Sequence, residues 1–137
     1  MFYAIKVEIT DPAVKIFSFA RQKTMYGGKC VAAGDIIYVF ASENQGGHGL
    51  TAKGVVTSAH ALPRAQGIER QTPRVSILVK RTRRAKRRLG RSELKPFGHW
   101  DDGRPETELN FKFYRQATNK IVGITDEAAA FLEGYFE

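Results

Sequence analysis

From Ile36 to Ala41 the chain reads IIYVFA, apolar or aromatic at every position, so a strand there needs cover on both alternating faces, as in a small closed barrel. From Leu50 to Thr57 the pattern changes. Leu50, Ala52, Gly54 and Val56 share one face, while Thr51, Lys53, Val55 and Thr57 share a wetter one. The polar, glycine-rich stretch Ser42–Gly49 separates the two and predicts an antiparallel hairpin with an open loop. Gly54, lacking a side chain, marks a bend or a close approach to the backbone.

Around this hairpin the pattern predicts further elements. Tyr3, Ile5, Val7 and Ile9 alternate with Lys6 and Glu8, a strand over Phe2–Ile9. Asp11 as N-cap and Pro12 at the first helical position predict a helix carrying Val14, Phe17 and Ala20 inward and ending before Gly27–Gly28. A loop follows from His60 to Thr72, then a strand over Val75–Lys80. Ser92–Pro96 makes one capped turn, and Phe97–Glu106 is a loop holding the single tryptophan, Trp100. Leu109, Phe111 and Phe113 alternate with Asn110, Lys112 and Tyr114, which predicts a half-buried strand, and Asn119–Ile124 is a short extended piece. A last helix starts at Thr125 and carries Ala128, Phe131, Leu132, Tyr135 and Phe136; it is expected to close the barrel near Gly34. The sum is an α+β chain: one small, mostly antiparallel β-barrel over residues 1–137, with two or three helices on its rim.

Composition changes this picture at one place. Of the net charge of +8, all sits in Lys80–Arg91, where Lys80, Arg81, Arg83, Arg84, Lys86, Arg87, Arg88 and Arg91 stand without a single acid; elsewhere 14 basic and 14 acidic residues cancel. Such a stripe attracts phosphates irrespective of sequence. The lone Cys30 excludes an internal disulfide. No apolar run approaches the ~18 residues of a membrane span, so no membrane partner and a cytoplasmic location are expected.

Catalytic and metal signals are thin, and neither a catalytic residue, a metal nor a cofactor is expected. Gly46–Gly49 lacks the lysine and helix of a phosphate-binding loop, and His48, His60 and His99 have no paired spacing for zinc. Asp101, Asp102, Glu106 and Glu108 beside His99 would suit Mg²⁺, but read more simply as a solvated loop. Ser42, Glu43 and His48 have no sequence spacing that fixes a hydrolytic triad.

The order of pieces resembles the EVE family of the PUA-like superfamily, relatives of the YTH and ASCH domains. The resemblance is carried by Tyr26-Gly27-Gly28, Gly34-Asp35 with Tyr38 and Phe40, Ser42, Gly49-Leu50 through Gly54-Val55-Val56, Leu89 with Glu93-Leu94-Lys95, Arg115-Gln116, Lys120-Ile121-Val122 and Ile124-Thr125. The family's two early tryptophans are missing, and Tyr26 stands where the second would be. The resemblance implies a barrel whose pocket takes a nucleobase, modified or unmodified, between aromatic side chains. Combined with the basic stripe, it gives a nucleic-acid-binding module for RNA or DNA. In it Tyr26, Phe40, Ser42, Asn44 and Trp100 would hold a single-stranded or flipped base, and Lys80–Arg91 the backbone. The alternatives are a nucleoside or nucleobase hydrolase of the ASCH-like kind, and an RNA-assembly factor binding by charge alone.

Overall fold

The strand Ile36–Ala41 (β3) does need cover on both sides, and the architecture follows from how it gets it. The computed structural model describes residues 1–63, 67, 72–99, 101–116 and 120–137, with the backbone alone at Gln45 and Gln116. With β1 (Phe2–Val7), β2 (Ile16–Met25), β4 (Gly49–Ala61), β5 (Arg74–Arg84) and β6 (Ile121–Ile124), β3 forms a closed barrel in the order β1-β3-β4-β5-β2-β6. The β1–β3 and β2–β6 contacts are parallel and the others antiparallel. Three helices pack outside: α1 (Arg91–Leu94), α2 (Pro105–Asn110), which runs on into a π-helical turn over Phe111–Gln116, and α3 (Asp126–Glu133).

Two apolar layers result. Ile37 and Val39 of β3 point into the barrel with Tyr3, Ile5, Phe17, Phe19, Val56 and Val79. Tyr38 and Phe40 point outward, under the helices, with Leu94, Leu109, Phe113, Leu132 and Phe136. The Phe40 and Phe113 ring centroids lie 4.8 Å apart, and full burial of each such ring contributes about 1.5–3 kcal/mol. A register shift between Val39 and Phe40 pairs Val39 with Ala52 but Phe40 with Leu50. Leu50 therefore leaves the barrel face of Ala52 and Val56 and joins the outer layer. Gly54 is a point of close approach, as its missing side chain implies: a Cβ there would press on Val79 and the Lys80 carbonyl of β5.

Polar groups fasten α3 to the barrel. The Tyr38 hydroxyl, at the centre of β3, donates to the Glu133 carboxylate, which also pairs with Lys53 of β4. Thr125 caps the helix by accepting from the Ala128 N–H at 3.1 Å, and its own hydroxyl donates to Glu108 of α2. Burial alone would raise the Glu133 pKa. The Lys53 ammonium and the Tyr38 hydroxyl outweigh it and hold the carboxyl below its usual range.

Three sequence expectations are corrected. The segment expected to be a helix from Asp11 is strand β2: Phe17 and Phe19 alternate inward with Ser18 and Ala20 outward, and the strand fills the gap between β5 and β6. Asp11 does cap, but only a turn, accepting from the Ala13 N–H at 2.9 Å. The expected strand over Leu109–Tyr114 is helical, because Pro105 starts a helix and Leu109 and Phe113, four apart, share its buried side. Finally, α3 does not close the end of the barrel: it packs on the outer layer, with its Ala129 carbonyl and Glu133 carboxylate at the Tyr38 hydroxyl. Parts of the expected loop over His60–Thr72, and Asn119, lie outside the described residues.

Two stability predictions follow from these contacts. At Gly49, φ is +82° and a Cβ would collide with the Leu89 carbonyl. Gly49→Ala should therefore cost about 2–4 kcal/mol in chemical denaturation. Gly46→Ala, with φ +85° but open space, should cost only about 1 kcal/mol; equal losses would contradict the packing. For Glu133, a depressed folded pKa means its contribution is present above the unfolded carboxylate pKa and is lost as pH falls through the folded one. The destabilisation caused by Glu133→Gln should thus be seen at pH 7 and shrink below roughly pH 4, measured as Tm against pH.

Candidate nucleic-acid interface

The course of the basic stripe is set by backbone pairing. Its first half is the end of β5, registered against β4 with Lys80 opposite Val55, Arg83 opposite Lys53 and Arg84 opposite Ala52. Beyond the strand the chain stays pinned: Ala85 N–H donates to the Thr51 carbonyl at 3.0 Å, Lys86 N–H to Tyr135 at 2.8 Å, and Leu89 accepts from Leu50 N–H at 2.8 Å. This route is open because Gly49 carries no side chain where Leu89 and Gly90 cross it.

The basic side chains divide into fasteners and others. Arg87 lays its guanidinium 4.5 Å from the Tyr135 ring centroid and donates to the Gly134 carbonyl at 2.8 Å, clamping the end of α3. Arg88 stands 3.8 Å from Glu93. Arg83 contributes to the field on Glu133. Lys80, Arg81, Arg84 and Lys86 make no salt bridge among the described residues, and all but the half-buried Arg81 are exposed.

The stripe ends on the turn Ser42–Gly46. Here the Glu43 carboxylate is the knot: it accepts from the Tyr114 hydroxyl at 2.8 Å and from the Arg91 N–H. The Arg91 guanidinium lies 5.5 Å from the Tyr114 ring centroid and donates to the Asn44 side-chain oxygen at 3.4 Å. Beneath, the buried Lys6 places its ammonium 4.2 Å from the same ring centroid. Burial lowers the Lys6 pKa and Arg91 adds to this, while Glu43 works against it. Burial, then the bond to Glu43 and its charge, push the Tyr114 hydroxyl well above the ordinary phenol range, so it stays a donor. The result is a hydrogen-bonded turn that presents the exposed Asn44 amide and Arg91 guanidinium side by side at the end of a cationic strip.

Of the five residues expected to form a base pocket, the structure does not bring all together. Ser42 and Asn44 share the turn, with Ser42 itself buried and its N–H donating to Val7 at the end of β1. Phe40 is sealed in the outer core against Phe113, so its ring presents no open face. Tyr26 lies toward the other end of β1: its carbonyl accepts from Gly123, which is registered opposite Tyr3. Trp100 lies outside the described residues. Ser42, Glu43 and His48 form no relay, since the Glu43 carboxylate is taken up by Tyr114 and Arg91. Among the described residues no group of acids, histidines or cysteine suits a metal ion, and no helix is long and apolar enough to cross a membrane.

Sequence reasoning missed Lys6 and Tyr114. Lys6 reads as the solvent face of an amphipathic strand, and Tyr114 as the wet side of a strand that is in fact helical. The available signal was the four-residue spacing from Asn110 to Tyr114, parallel to that of Leu109 and Phe113.

Tyr114→Phe should leave the fold intact but cost about 1–3 kcal/mol, the loss of a hydrogen bond to a charged, partly buried partner. Hydrogen exchange at the Arg91 amide should accelerate in the same variant. Unchanged exchange there would mean that Glu43 holds the turn without Tyr114.

Comparison with known proteins bears on the fold. No protein-family model and no curated protein matches the chain by sequence. Among solved structures it is similar to the DUF55 domain of human thymocyte nuclear protein 1 (TM-score 0.67, 14% identity, covering 100% of this chain and 99% of that one). It is also similar to human THYN1 in complex with 5-methylcytosine-containing DNA (0.64, 16%, 99% and 97%). A third similar structure is a protein from Leishmania major (0.63, 16%, 98% and 93%). With six strands closed into a mixed barrel and helices packed against it, the chain has a small PUA-like barrel, the fold of the DUF55 domain of human thymocyte nuclear protein 1.

Proposed function

We propose that this protein binds nucleic acid through the strip from Lys80 to Arg91 and reads a base, modified or unmodified, at the turn where that strip ends. The observation that carries the reading is the run of cationic side chains Lys80, Arg81, Arg84 and Lys86, which make no salt bridge among the described residues, placed on β5 and its extension and leading to Arg91 and Asn44. Cations on a backbone-paired strip serve the phosphate backbone without regard to sequence. A planar guanidinium next to an amide offers a stacking surface and a donor–acceptor edge, the two things a splayed base requires. Support for the polymer comes from the similar THYN1 structure, which holds 5-methylcytosine-containing DNA. Tyr26 and Phe40 do not belong to this reading end; Ser42 shapes its turn. The same chemistry serves single-stranded and flipped bases.

The test is fluorescence anisotropy with single- and double-stranded oligonucleotides, with and without 5-methylcytosine, at two salt concentrations. Replacing Arg84 and Lys86 by alanine should weaken binding to every sequence alike and reduce the salt slope by roughly 0.7–0.9 log units per lost contact. Replacing Asn44 by alanine should leave the slope in place and narrow the difference between modified and unmodified strands. Binding that is indifferent to Arg84, Lys86 and salt would sink the proposal.

A further inference from the structure

Strand β6 is shorter than the gap it fills. It bridges β1 and β2, with Ile121 paired to Ile5 on one side and to Thr24 on the other, and Ile121 is the end pair of both ladders. At that point β1 and β2 stand two strand spacings apart, about 10 Å. Past it, among the described residues, no strand lies between them. A slot of about 270 Å³ opens there, walled by Val7 to Asp11 on the β1 side and by Ile16 to Ala20 on the β2 side.

Consecutive residues of β2, inward and outward alike, line this slot, so the edge of the strand faces it as well as the side chains. The ladder with β5 fixes which backbone groups those are. Arg81 N–H donates to the Lys15 carbonyl at 2.8 Å, which makes Lys15 and Arg81 a hydrogen-bonded pair. Such pairs alternate along an antiparallel ladder, so Phe17 with Val79 and Phe19 with Ile77 are the next two. The intervening Ile16, Ser18 and Ala20 therefore turn their N–H and C=O groups away from β5 and toward the slot. There the Ala20 carbonyl accepts from the side-chain amide of Gln22 at 2.9 Å, a local substitute for a strand partner. Phe17 and Phe19, their ring centroids 5.6 Å apart, add apolar surface.

A strand edge facing a slot one strand wide fits an extended chain, which adds to a sheet through main-chain hydrogen bonds. Charge narrows the class. The exposed Glu8 and Asp11 line the slot and no basic side chain among the described residues does, in a chain whose net charge is +8. These carboxylates repel phosphate and attract lysine or arginine. A second copy of this chain is a poor occupant, because the backbone of its own basic stretch is already paired with β4. We propose that the slot takes an extended, basic segment of a partner protein as an added strand along Ile16 to Ala20, with a lysine or arginine of that segment at Glu8 and Asp11. The proposal does not rest on the nucleic-acid reading.

The experiment pans the full chain against a displayed library of linear peptides of roughly ten residues, the upper length of an ordinary strand. Enriched sequences are synthesised and titrated by fluorescence anisotropy. They should combine β-branched residues with lysine or arginine, and their binding should slow hydrogen exchange at the Ser18 and Ala20 amides. Ser18→Pro removes one slot-facing N–H and leaves the β5 ladder intact, a place where an edge strand tolerates proline. Its Tm should stay near that of the parent while peptide affinity falls about fivefold or more. Methylating the peptide's amides one at a time should weaken binding at alternate positions, a readout that needs no variant of the protein. Glu8→Gln with Asp11→Asn, which keeps an acceptor for the Ala13 N–H, should lower affinity and flatten its salt dependence; Arg84→Ala should change neither. The proposal is overturned if no sequence is enriched, if N-methylation is without effect, or if folded Ser18→Pro binds undiminished. It is also overturned if an oligonucleotide protects the same amides, or if the chain self-associates through the slot in a manner that Ser18→Pro abolishes.

Discussion

The double burial of β3 is the constraint on which the rest depends. A strand with Ile37 and Val39 on one side and Tyr38 and Phe40 on the other cannot face water anywhere. The barrel covers the first pair and the helical layer the second. That helical layer is then forced to lie against β1, β3 and β6, because Ala4, Tyr38, Phe40, Val122 and Ile124 are the apolar outer positions. The outer side of β2 and β5 is left to solvent, and Ile16 and Leu78 stand exposed on it. Lys80 continues that uncovered side, which is how the start of the basic strip reaches water.

Polar groups within the helical layer are placed where they fasten elements rather than merely tolerated. Tyr38 and Lys53 meet on Glu133 and tie α3 to β3 and β4. Tyr114 and Arg91 meet on Glu43 and tie the π-helical turn to the loop after β3. In each knot a tyrosine rooted in the apolar layer donates to a carboxylate, so the hydroxyl stays satisfied while the ring is buried. Burying Lys6 among these groups costs desolvation, offset by the Tyr114 ring and the nearby Glu43 charge. A similar division of labour runs through the basic strip, where Arg87 and Arg91 each lay their guanidinium against one tyrosine ring, Tyr135 and Tyr114. The strip is therefore anchored by part of its own charge.

Much of the barrel was legible along the chain because its signals are local. The alternation at Tyr3 and Ile5, the run Ile36–Ala41, the glycine-rich turn and the Thr125 cap each depend on residues close in sequence. Where the reading went astray, two periods competed within a few residues. Val14, Phe17 and Ala20 fit a helix as well as Phe17 and Phe19 fit a strand. Leu109, Phe111 and Phe113 fit a strand as well as Leu109 and Phe113 fit a helix. Only the need for a strand between β5 and β6, and for a helix over Phe40, decided between them.

By itself, then, the sequence determined the chain's two-sided central strand, its hairpin and the concentration of its excess charge in one stripe, all properties of neighbouring residues. It could not place Tyr26 and Ser42 relative to one another. Both stand next to chain breaks in the pattern, but β2 carries Tyr26 away toward the Tyr3 end of β1 while β3 delivers Ser42 to the Val7 end. Nor could it show that Lys6, Glu43, Arg91 and Tyr114 converge, because they come from four elements whose meeting depends on strand order and on the glycine at position 49. Those distances are set by closure of the barrel, a long-range property that no window of sequence contains.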